Sequence, residues 1–307
     1  MNKTVDVVIP TFHPDEKLCT LLKSLLEQKY PVGHILIMNT QQEFWDSKIE
    51  GLSEKIIVEH IEKSRFDHGG TRHQALLKSR ADVVIFMTQD ALPADDHLTE
   101  QLLRPLEDQE VAVSYARQLP AEDCAYIERY TRGFNYPAAS RVKSKKDLNR
   151  LGIKTYFCSD VCAAYNRNIY LQLGGFERPV IFNEDMIMAA RIIQAGYKVA
   201  YAAKAQVIHS HNYSGLRQIS RNFDLAVSQA DHPEIFSGVS SEGEGIPLVK
   251  QTASYLAKRR PWLLPALIWQ SGCKYLGYRL GKRYKSLPLG LILRLTDNKE
   301  YWKRRLS

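Results

Sequence analysis

Four short stretches hold most of the side chains in this sequence that are suited to chemistry. They are residues 66–72 (FDHGGTR), 88–93 (TQDALP), 183–186 (NEDM) and 209–212 (HSHN). Carboxylates and imidazoles bind divalent metal ions, while arginines and glycine-rich backbone bind phosphate groups. The combination favours a site for a phosphate-bearing ligand.

Asp90 follows the apolar run 83–87 after two polar residues. An apolar β-branched run predicts a buried strand, so the carboxylate is expected near the end of that strand. There it can hold Mg²⁺ or Mn²⁺ against a diphosphate, because hard cations prefer oxygen ligands. The alternative is that the aspartate before Ala-Leu-Pro only stabilises a turn.

The paired glycines Gly69 and Gly70 are flanked by Arg65, His68 and Arg72. A helix is predicted from about residue 71, and a helix N-terminus with arginine side chains favours phosphate. Glycine also lets the backbone approach a ligand closely. This pattern predicts a phosphate-binding segment, and the alternative is a loop that only turns the chain.

His209 and His211 are two residues apart, so on an extended segment they point to the same side. Either can ligate a metal ion or contact a diphosphate, and a hydrogen-bonded structural histidine is the alternative for each. Glu184 and Asp185 are predicted in the first turn of a helix, where the helix dipole keeps carboxylates ionised. Stabilising the helix start is their structural alternative.

Short apolar runs alternate with helical periodicity over the first hundred residues. Strands are predicted at residues 5–9, 34–38, 56–61 and 83–87, and helices at 18–26, 71–79 and 97–106. This order predicts an α/β fold with a mostly parallel sheet flanked by helices, which binds ligands beyond the carboxyl ends of its strands. Thr11, Asn39, Arg65 and Asp90 all fall just past predicted strand ends.

Periodicity weakens over residues 116–160, where a loop-rich or helical excursion over the site is expected. Further on, the pattern predicts a strand at 161–165, helices at 168–173 and 184–195, and a strand at 199–202. From residue 246 a helical pattern mixes aromatic and aliphatic residues with lysines and arginines. A basic amphipathic helix suits an anionic membrane surface, and a packed helix with a solvated basic face is the alternative.

The formal charge of +8 in 307 residues lies mainly in the last third of the chain. No apolar run approaches the roughly 20 residues that span a bilayer, and the first residues lack a signal-peptide pattern. Five scattered cysteines favour reduced thiols over disulfides or a zinc site. These features predict a cytoplasmic protein, peripheral to the cytoplasmic membrane.

Several of these segments together resemble the family 2 inverting glycosyltransferases of the GT-A fold. The segments are residues 8–12 (VIPTF), 66–72, 88–93, 174–176 (GGF), 183–186 and 207–211 (VIHSH). The sequence is most similar to bacterial rhamnosyltransferases that use dTDP-L-rhamnose in surface polysaccharide synthesis. The resemblance implies a GT-A domain over residues 1–245, with a basic amphipathic helical region over 246–307.

The resemblance also implies roles for individual residues. Asp185, with Glu184 beside it, matches the acidic pair that supplies the catalytic base. Contacts to the nucleotide-sugar donor are expected from Pro10, Thr11, Asn39, Arg65, Asp67, His68, Gly69, Arg72, Gln89 and Asp90. The expected ligands of Mg²⁺ or Mn²⁺ are Asp90, His209 and His211.

The sequence departs from the family pattern in two places. The family's metal motif has two carboxylates two residues apart, and Thr88 stands at the first position. Asn39 and Thr40 stand where related enzymes often carry an aspartate that reads the nucleoside. Ser159 and Asp160 are expected to face the sugar or the acceptor.

The predicted activity is transfer of a sugar, L-rhamnose by resemblance, to a hydroxyl of a glycan or lipid-linked glycan. One alternative is a family 2 transferase that uses a UDP-hexose donor. Another is a non-catalytic basic protein that binds membrane or nucleic acid, although it gives no role to Asp90 or Asp185. Nucleic acid is not an expected partner of the enzyme.

Overall fold

A computed structural model of the chain describes residues 3–238 and 242–306. Its internal contacts divide the chain into two units. Unit 1 consists of Met1–Ala121, Tyr136–Arg178 and Glu184–His209, and unit 2 consists of Glu122–Asn135, Pro179–Asn183 and Ser210–Ser307. The predicted boundary between a GT-A domain over residues 1–245 and a helical region over 246–307 stays a prediction.

Unit 1 is built on one sheet. Its strands are β1 (Val5–Phe12), β2 (Ile35–Thr40), β3 (Ile56–Ile61), β4 (Val83–Met87), β5 (Leu92–Pro93), β6 (Val111–Leu119), β7 (Arg141–Lys143), β8 (Cys162–Asn166) and β9 (Lys198–Ile208). Their order is β3-β2-β1-β4-β8-β6-β9-β5, and β7 pairs with β9. The first four strands in this order are parallel, while β8 runs antiparallel to both β4 and β6. The predicted α/β fold is confirmed, with a mixed sheet.

Helices cover the sheet of unit 1. They are α1 (Glu16–Leu26), α2 (His68–Lys78), α3 (Leu98–Leu103), α5 (Leu148–Leu151), α6 (Arg167–Gln172) and α7 (Glu184–Gln194). In α1, Leu18, Leu21, Leu22 and Leu25 are buried, as their helical spacing predicts. All five residues of β4 are buried, which is typical of a strand covered on both faces.

β1 and β2 are both longer at their carboxyl ends than the sequence predicts. β1 continues through Pro10 to Phe12, because its pairing with β4 ends at Val8 and a proline is tolerated where one side of a strand is open. β2 continues to Thr40 and pairs with β1 over its whole length. Thr11 and Asn39 are therefore paired strand residues, not loop residues past the strand ends.

The helix that the sequence predicts from about residue 71 starts earlier, at His68. Asp67 is its N-cap, and the Asp67 carboxylate accepts a hydrogen bond of 2.6 Å from the Gly70 N–H. An aspartate N-cap satisfies one of the free N–H groups of the first turn. Gly69 and Gly70 therefore belong to the first turn of α2.

Unit 2 is helical. Its helices are α4 (Tyr126–Asn135), α8 (Gly215–Asp231), α9 (Pro233–Phe236), α10 (Glu242–Arg259), α11 (Leu264–Lys282), α12 (Leu289–Leu295) and α13 (Lys299–Leu306). α8 and α11 approach each other closely at Gly277. A Cβ at this position would lie 2.2 Å from the Ile219 carbonyl oxygen. Only a glycine fits there. Among the described residues, none of the helices is both long and apolar enough to cross a membrane.

Candidate active site

Asp90 and His209 face each other at the edge of the sheet. His209 directly follows β9 and is buried, and Asp90 lies three residues after β4 and is partly exposed. The Nε2 atom of His209 is 3.6 Å from Oδ2 of Asp90. An imidazole nitrogen and a carboxylate oxygen that face one point are suitable ligands for Mn²⁺ or Mg²⁺.

Gln118 fixes the orientation of His209. Oε1 of Gln118 lies 3.1 Å from Nδ1 of His209, and Nε2 of Gln118 donates to the hydroxyls of Tyr136 at 2.7 Å and Ser159 at 2.9 Å. Since the amide oxygen only accepts, Nδ1 of His209 carries a proton, and Nε2 is the ring nitrogen that faces Asp90. A partner of this kind both orients a metal-binding histidine and selects its tautomer.

The same contacts continue to Asp185. Ser159, which Gln118 holds, is followed by Asp160, and the Asp160 backbone N–H donates to Oδ2 of Asp185 at 3.3 Å. A series of side-chain contacts and one peptide therefore joins Asp90 to Asp185 within unit 1. The structure brings the predicted metal ligand and the predicted base into one connected site.

Asp185 stands in the first turn of α7 and is only half-buried. Its Oδ1 accepts a hydrogen bond of 2.7 Å from the Met186 N–H. Burial, and after it the neighbouring Glu184 charge, raises the pKa of Asp185 to about 7. A carboxyl group with a pKa near 7 and a reachable oxygen can act as a general base at neutral pH.

Glu184 has a different environment. Its Oε1 lies 3.1 Å from Nη1 of Arg72, and both side chains are almost fully buried. Arg72 also donates to the His68 carbonyl oxygen at 3.1 Å. A buried ion pair of this kind is expensive to break, because the remaining partner would be a buried lone charge. The structure therefore places Arg72 against Glu184, as the cation that balances the acidic pair.

Asp160 is a third carboxyl group in this cluster and is buried. Its Oδ1 accepts a hydrogen bond of 2.8 Å from the Tyr165 hydroxyl, while its buried Oδ2 has no hydrogen-bond partner. Burial and the adjacent Asp185 raise the pKa of Asp160 well above its ordinary value. A neutral carboxylic acid fits this position, since an ionised oxygen would lack a donor.

Thr11 and Asn39 form the buried end of the β1–β2 pair. The Thr11 hydroxyl donates to Oδ1 of Asn39 at 3.0 Å, and Nδ2 of Asn39 lies 3.1 Å from the Gln41 carbonyl oxygen and 3.0 Å from Nδ1 of His60. Asn39 has no exposed surface. In this structure the two side chains hold the strand ends in place.

Gln89 joins the end of β1 to the segment that contains Asp90. Its side chain accepts from the Phe12 N–H at 2.8 Å and donates to the Phe12 carbonyl oxygen at 3.0 Å. Phe12 is exposed, and Phe44 and His13 lie beside it with the His13 and Phe44 rings 3.6 Å apart. This aromatic cluster is at the carboxyl end of β1, where a flat ligand ring can stack.

The sequence prediction missed Gln118 and the aromatic cluster. Gln118 lies inside a strand with no motif around it, and its role depends on contacts with residues about 40 and 90 positions away. His13 and Gln41 have positive φ angles of 48° and 67°. Such backbone strain at non-glycine residues often marks a functional site, but it is not visible in a sequence.

The remaining predicted residues have these positions. Pro10 is in β1, Arg65 is exposed before α2, and His68 and Gly69 are in the first turn of α2. Thr88 stands two residues before Asp90 as a hydroxyl residue, so this part of the site has one carboxylate. His211 follows His209 by two residues, beyond the end of unit 1, and its role as a ligand stays a prediction.

The chain is similar to several known proteins. Residues 6–174 match the family described as Glycosyl transferase family 2. The chain is 38% identical to the O-antigen chain rhamnosyltransferase RfbN of Salmonella typhimurium, over 97% of this chain and 96% of that protein. It is 43% identical to the O-antigen chain rhamnosyltransferase WbaN of Salmonella anatum, over 79% of this chain and 78% of that protein.

Two solved structures share the fold at low sequence identity. The mannosyltransferase PcManGT of Pyrobaculum calidifontis, in complex with GDP-Man and Mn²⁺, has a TM-score of 0.57 and 16% identity, covering 98% of this chain and 83% of that one. TarS 1–349 of S. aureus, in complex with UDP-GlcNAc, has a TM-score of 0.52 and 14% identity, covering 92% of this chain and 91% of that one.

Proposed function

The chain belongs to glycosyl transferase family 2, and on that premise we propose that it transfers L-rhamnose from dTDP-L-rhamnose to a hydroxyl of a lipid-linked glycan. Family membership makes the protein a glycosyltransferase with a GT-A fold, so the non-catalytic alternative is set aside. The observation that carries the proposal is the connected site from Asp90 through His209 and Gln118 to Asp185. The names of the two Salmonella relatives support rhamnose and surface polysaccharide synthesis.

Asp185 is the proposed base, and Glu184 is its electrostatic neighbour. Glu184 forms a buried ion pair with Arg72. Asp185, in contrast, has part of its surface exposed and has a raised pKa. In the reaction, Asp185 takes the proton of the acceptor hydroxyl while that oxygen bonds to the anomeric carbon. The bond from the anomeric carbon to the diphosphate breaks on the opposite side, and its electron pair leaves with the diphosphate.

The leaving diphosphate gains negative charge that must be neutralised. Asp90 and His209 suit a divalent cation, because their facing atoms are a carboxylate oxygen and an imidazole nitrogen. His211 is the proposed third ligand, and two residues of chain span only about 7 Å from His209. When bound, Mn²⁺ or Mg²⁺ supplies positive charge to the diphosphate.

The nucleoside is proposed to bind at the carboxyl end of β1. Phe12, His13 and Phe44 offer aromatic surface for a base, and Lys63 lies 5.1 Å from the Phe12 ring centroid. Thr11 and Asn39 would act by holding this strand end, because their side chains are buried. Arg65, Asp67, His68 and Gly69 are the proposed donor contacts near the start of α2.

Donor use can be measured directly. Purified protein is incubated with an acceptor glycan and with dTDP-L-rhamnose, UDP-glucose or UDP-galactose, and the product is detected by mass spectrometry. We expect turnover with dTDP-L-rhamnose and at least about tenfold lower kcat/KM with the UDP-hexoses, because one lost polar contact costs about that much. Preferential use of a UDP-hexose would overturn the proposed donor.

The base is tested by Asp185→Asn and by the pH dependence of transfer. Loss of a general base lowers kcat by about 10²–10⁴, while calorimetric donor affinity should be retained. In the wild type, kcat/KM should fall below pH 7, because Asp185 with a pKa of about 7 is protonated there. Glu184→Gln removes the charge that raises this pKa, so the acid limb should move to lower pH. An unchanged turnover in Asp185→Asn, or an acid limb that stays in place in Glu184→Gln, argues against these roles.

The metal site is tested by calorimetry with Mn²⁺ alone and with Mn²⁺ plus dTDP. Asp90→Ala should abolish the Mn²⁺ dependence of dTDP binding, and Gln118→Met should weaken Mn²⁺ binding about 10- to 100-fold, since it removes the orienting partner of His209. Asp96→Ala, an exposed carboxylate paired with Lys29, is the matched control and should bind normally. Equal dTDP affinity in the wild type with and without chelator would refute the metal role.

Unit 2 is proposed to lie on an anionic membrane surface. Ile268, Trp269, Tyr275 and Leu276 are exposed and share one face of α11, at spacings of one, seven and eight residues. Trp262 is 67% exposed just before this helix, and Arg259, Arg260 and Lys282 are exposed basic residues around it. Exposed aromatics beside basic residues are typical of interfacial helices.

Vesicle flotation tests this placement. The double variant Ile268→Ser, Trp269→Ser should bind vesicles that contain anionic lipid at least about tenfold more weakly, because it removes apolar area from the interface. Leu77→Ser is the matched control, since Leu77 is an exposed apolar residue of unit 1, and it should float like the wild type. Equal flotation of the double variant and the wild type would contradict the proposal.

A further inference from the structure

Unit 2 contains a pocket of about 400 Å³ that the proposed donor and catalytic residues do not use. Its lining residues are Tyr126, Arg129, Tyr130, Gly133, Phe134 and Tyr255. Small-molecule sites commonly have volumes of about 300–1,000 Å³ and combine aromatic walls with a few polar groups. This pocket has that size and composition, so it is a candidate binding site.

One wall is a stripe along α4. The stripe residues Tyr126, Arg129, Tyr130, Gly133 and Phe134 follow the spacing of a single helix face. Ile127 borders this stripe and is buried with Leu256 and Leu267, and Tyr126 and Tyr255 pack against that cluster with part of their surface exposed. At Gly133, a Cβ would have no heavy atom within 4 Å, so the space beside the stripe is open.

The second wall is Tyr255 of α10. Its ring stacks on Tyr130 with 4.3 Å between centroids and on Tyr126 with 5.7 Å. The Tyr126 hydroxyl donates to the Tyr255 hydroxyl at 3.0 Å. The three rings therefore form one block in which aromatic surface and hydroxyl groups are held in fixed positions.

Arginines surround this block. The Arg259 guanidinium lies 4.3 Å from the Tyr255 ring centroid, and that of Arg260 lies 4.5 Å from the Tyr126 centroid. Both residues are exposed, and Arg129 lines the pocket itself. Stacking on a tyrosine orients a guanidinium plane, and an oriented guanidinium binds phosphate through two parallel hydrogen bonds.

We propose that this pocket binds a phosphorylated sugar, with the pyranose ring on the tyrosines and the phosphate on the arginines. The C–H face of a pyranose packs on an aromatic ring, and its hydroxyls can bond to tyrosine hydroxyls. A wholly apolar ligand would make no hydrogen bonds to the arginines, and a free phosphate would make no contact with the aromatic rings. The biological assignment rests on the proposed function: the ligand is the sugar–diphosphate end of the lipid-linked acceptor.

The binding test uses glucose 1-phosphate as a probe, with glucose and inorganic phosphate as its separate parts. Affinities are measured by saturation-transfer NMR on the full chain, with dTDP present to fill the donor site. We expect glucose 1-phosphate to bind at least about tenfold more tightly than either part, because ring stacking and phosphate pairing both contribute. Equal affinity for inorganic phosphate and glucose 1-phosphate would overturn the proposal.

Variants locate the binding. Tyr130→Ala and Arg259→Gln should each weaken glucose 1-phosphate binding at least about fivefold. Tyr255→Phe keeps the ring and should retain most of the affinity. Tyr275→Ala, an exposed tyrosine of α11, is the control and should bind like the wild type. Thermal unfolding of every variant separates lost binding from lost folding.

Kinetics separate this inference from the proposed function. If both hold, Tyr130→Ala raises the KM for the lipid-linked acceptor and leaves the KM for dTDP-L-rhamnose unchanged. An unchanged acceptor KM in an enzyme that transfers rhamnose would overturn the pocket assignment alone. If the enzyme uses another donor, the rhamnose assignment is overturned. The pocket assignment is then still tested by the NMR measurement of glucose 1-phosphate binding.

Discussion

The site depends on the hydrogen bonds of one neutral side chain, Gln118. Its amide oxygen sets the tautomer of His209, and its amide nitrogen holds Ser159 immediately before Asp160. A glutamine can do both because one end only accepts and the other only donates. The His209 nitrogen that faces Asp90 and the backbone that contacts Asp185 are therefore positioned by the same amide group.

The second constraint is electrostatic. Asp160, Glu184 and Asp185 form a cluster, and Arg72 forms an ion pair with Glu184. Ionising three crowded carboxyl groups at once is costly, so the pKa values of Asp160 and Asp185 are raised. Asp160 is buried and favours the neutral form, while Asp185 has a pKa of about 7. Glu184 is thus paired with Arg72, while Asp160 and Asp185 have raised pKa values.

Unit 2 shows a different use of aromatic residues. In the sheet of unit 1, rings such as Phe86 and Tyr165 fill the interior. In unit 2, Tyr126, Tyr130 and Tyr255 stack at a pocket, and Trp262 and Trp269 are exposed. Such exposure has a solvation cost, which a sugar ring or a lipid interface would remove. This contrast supports a recognition role for unit 2 beside the chemistry of unit 1.

The sequence determined β1–β4, β8 and β9, the leucine face of α1 and the acidic start of α7, because periodicity and helix-end chemistry are local. It did not indicate β5, β6 or β7. It also placed Asp90 and His209 after strands, and parallel strands with a common edge bring such residues together. The tertiary structure alone decided that Arg72 pairs with Glu184 and that Gln118 holds His209. Those contacts join residues about 110 and 90 positions apart. Which distant groups meet depends on strand order and burial, and no local pattern encodes either.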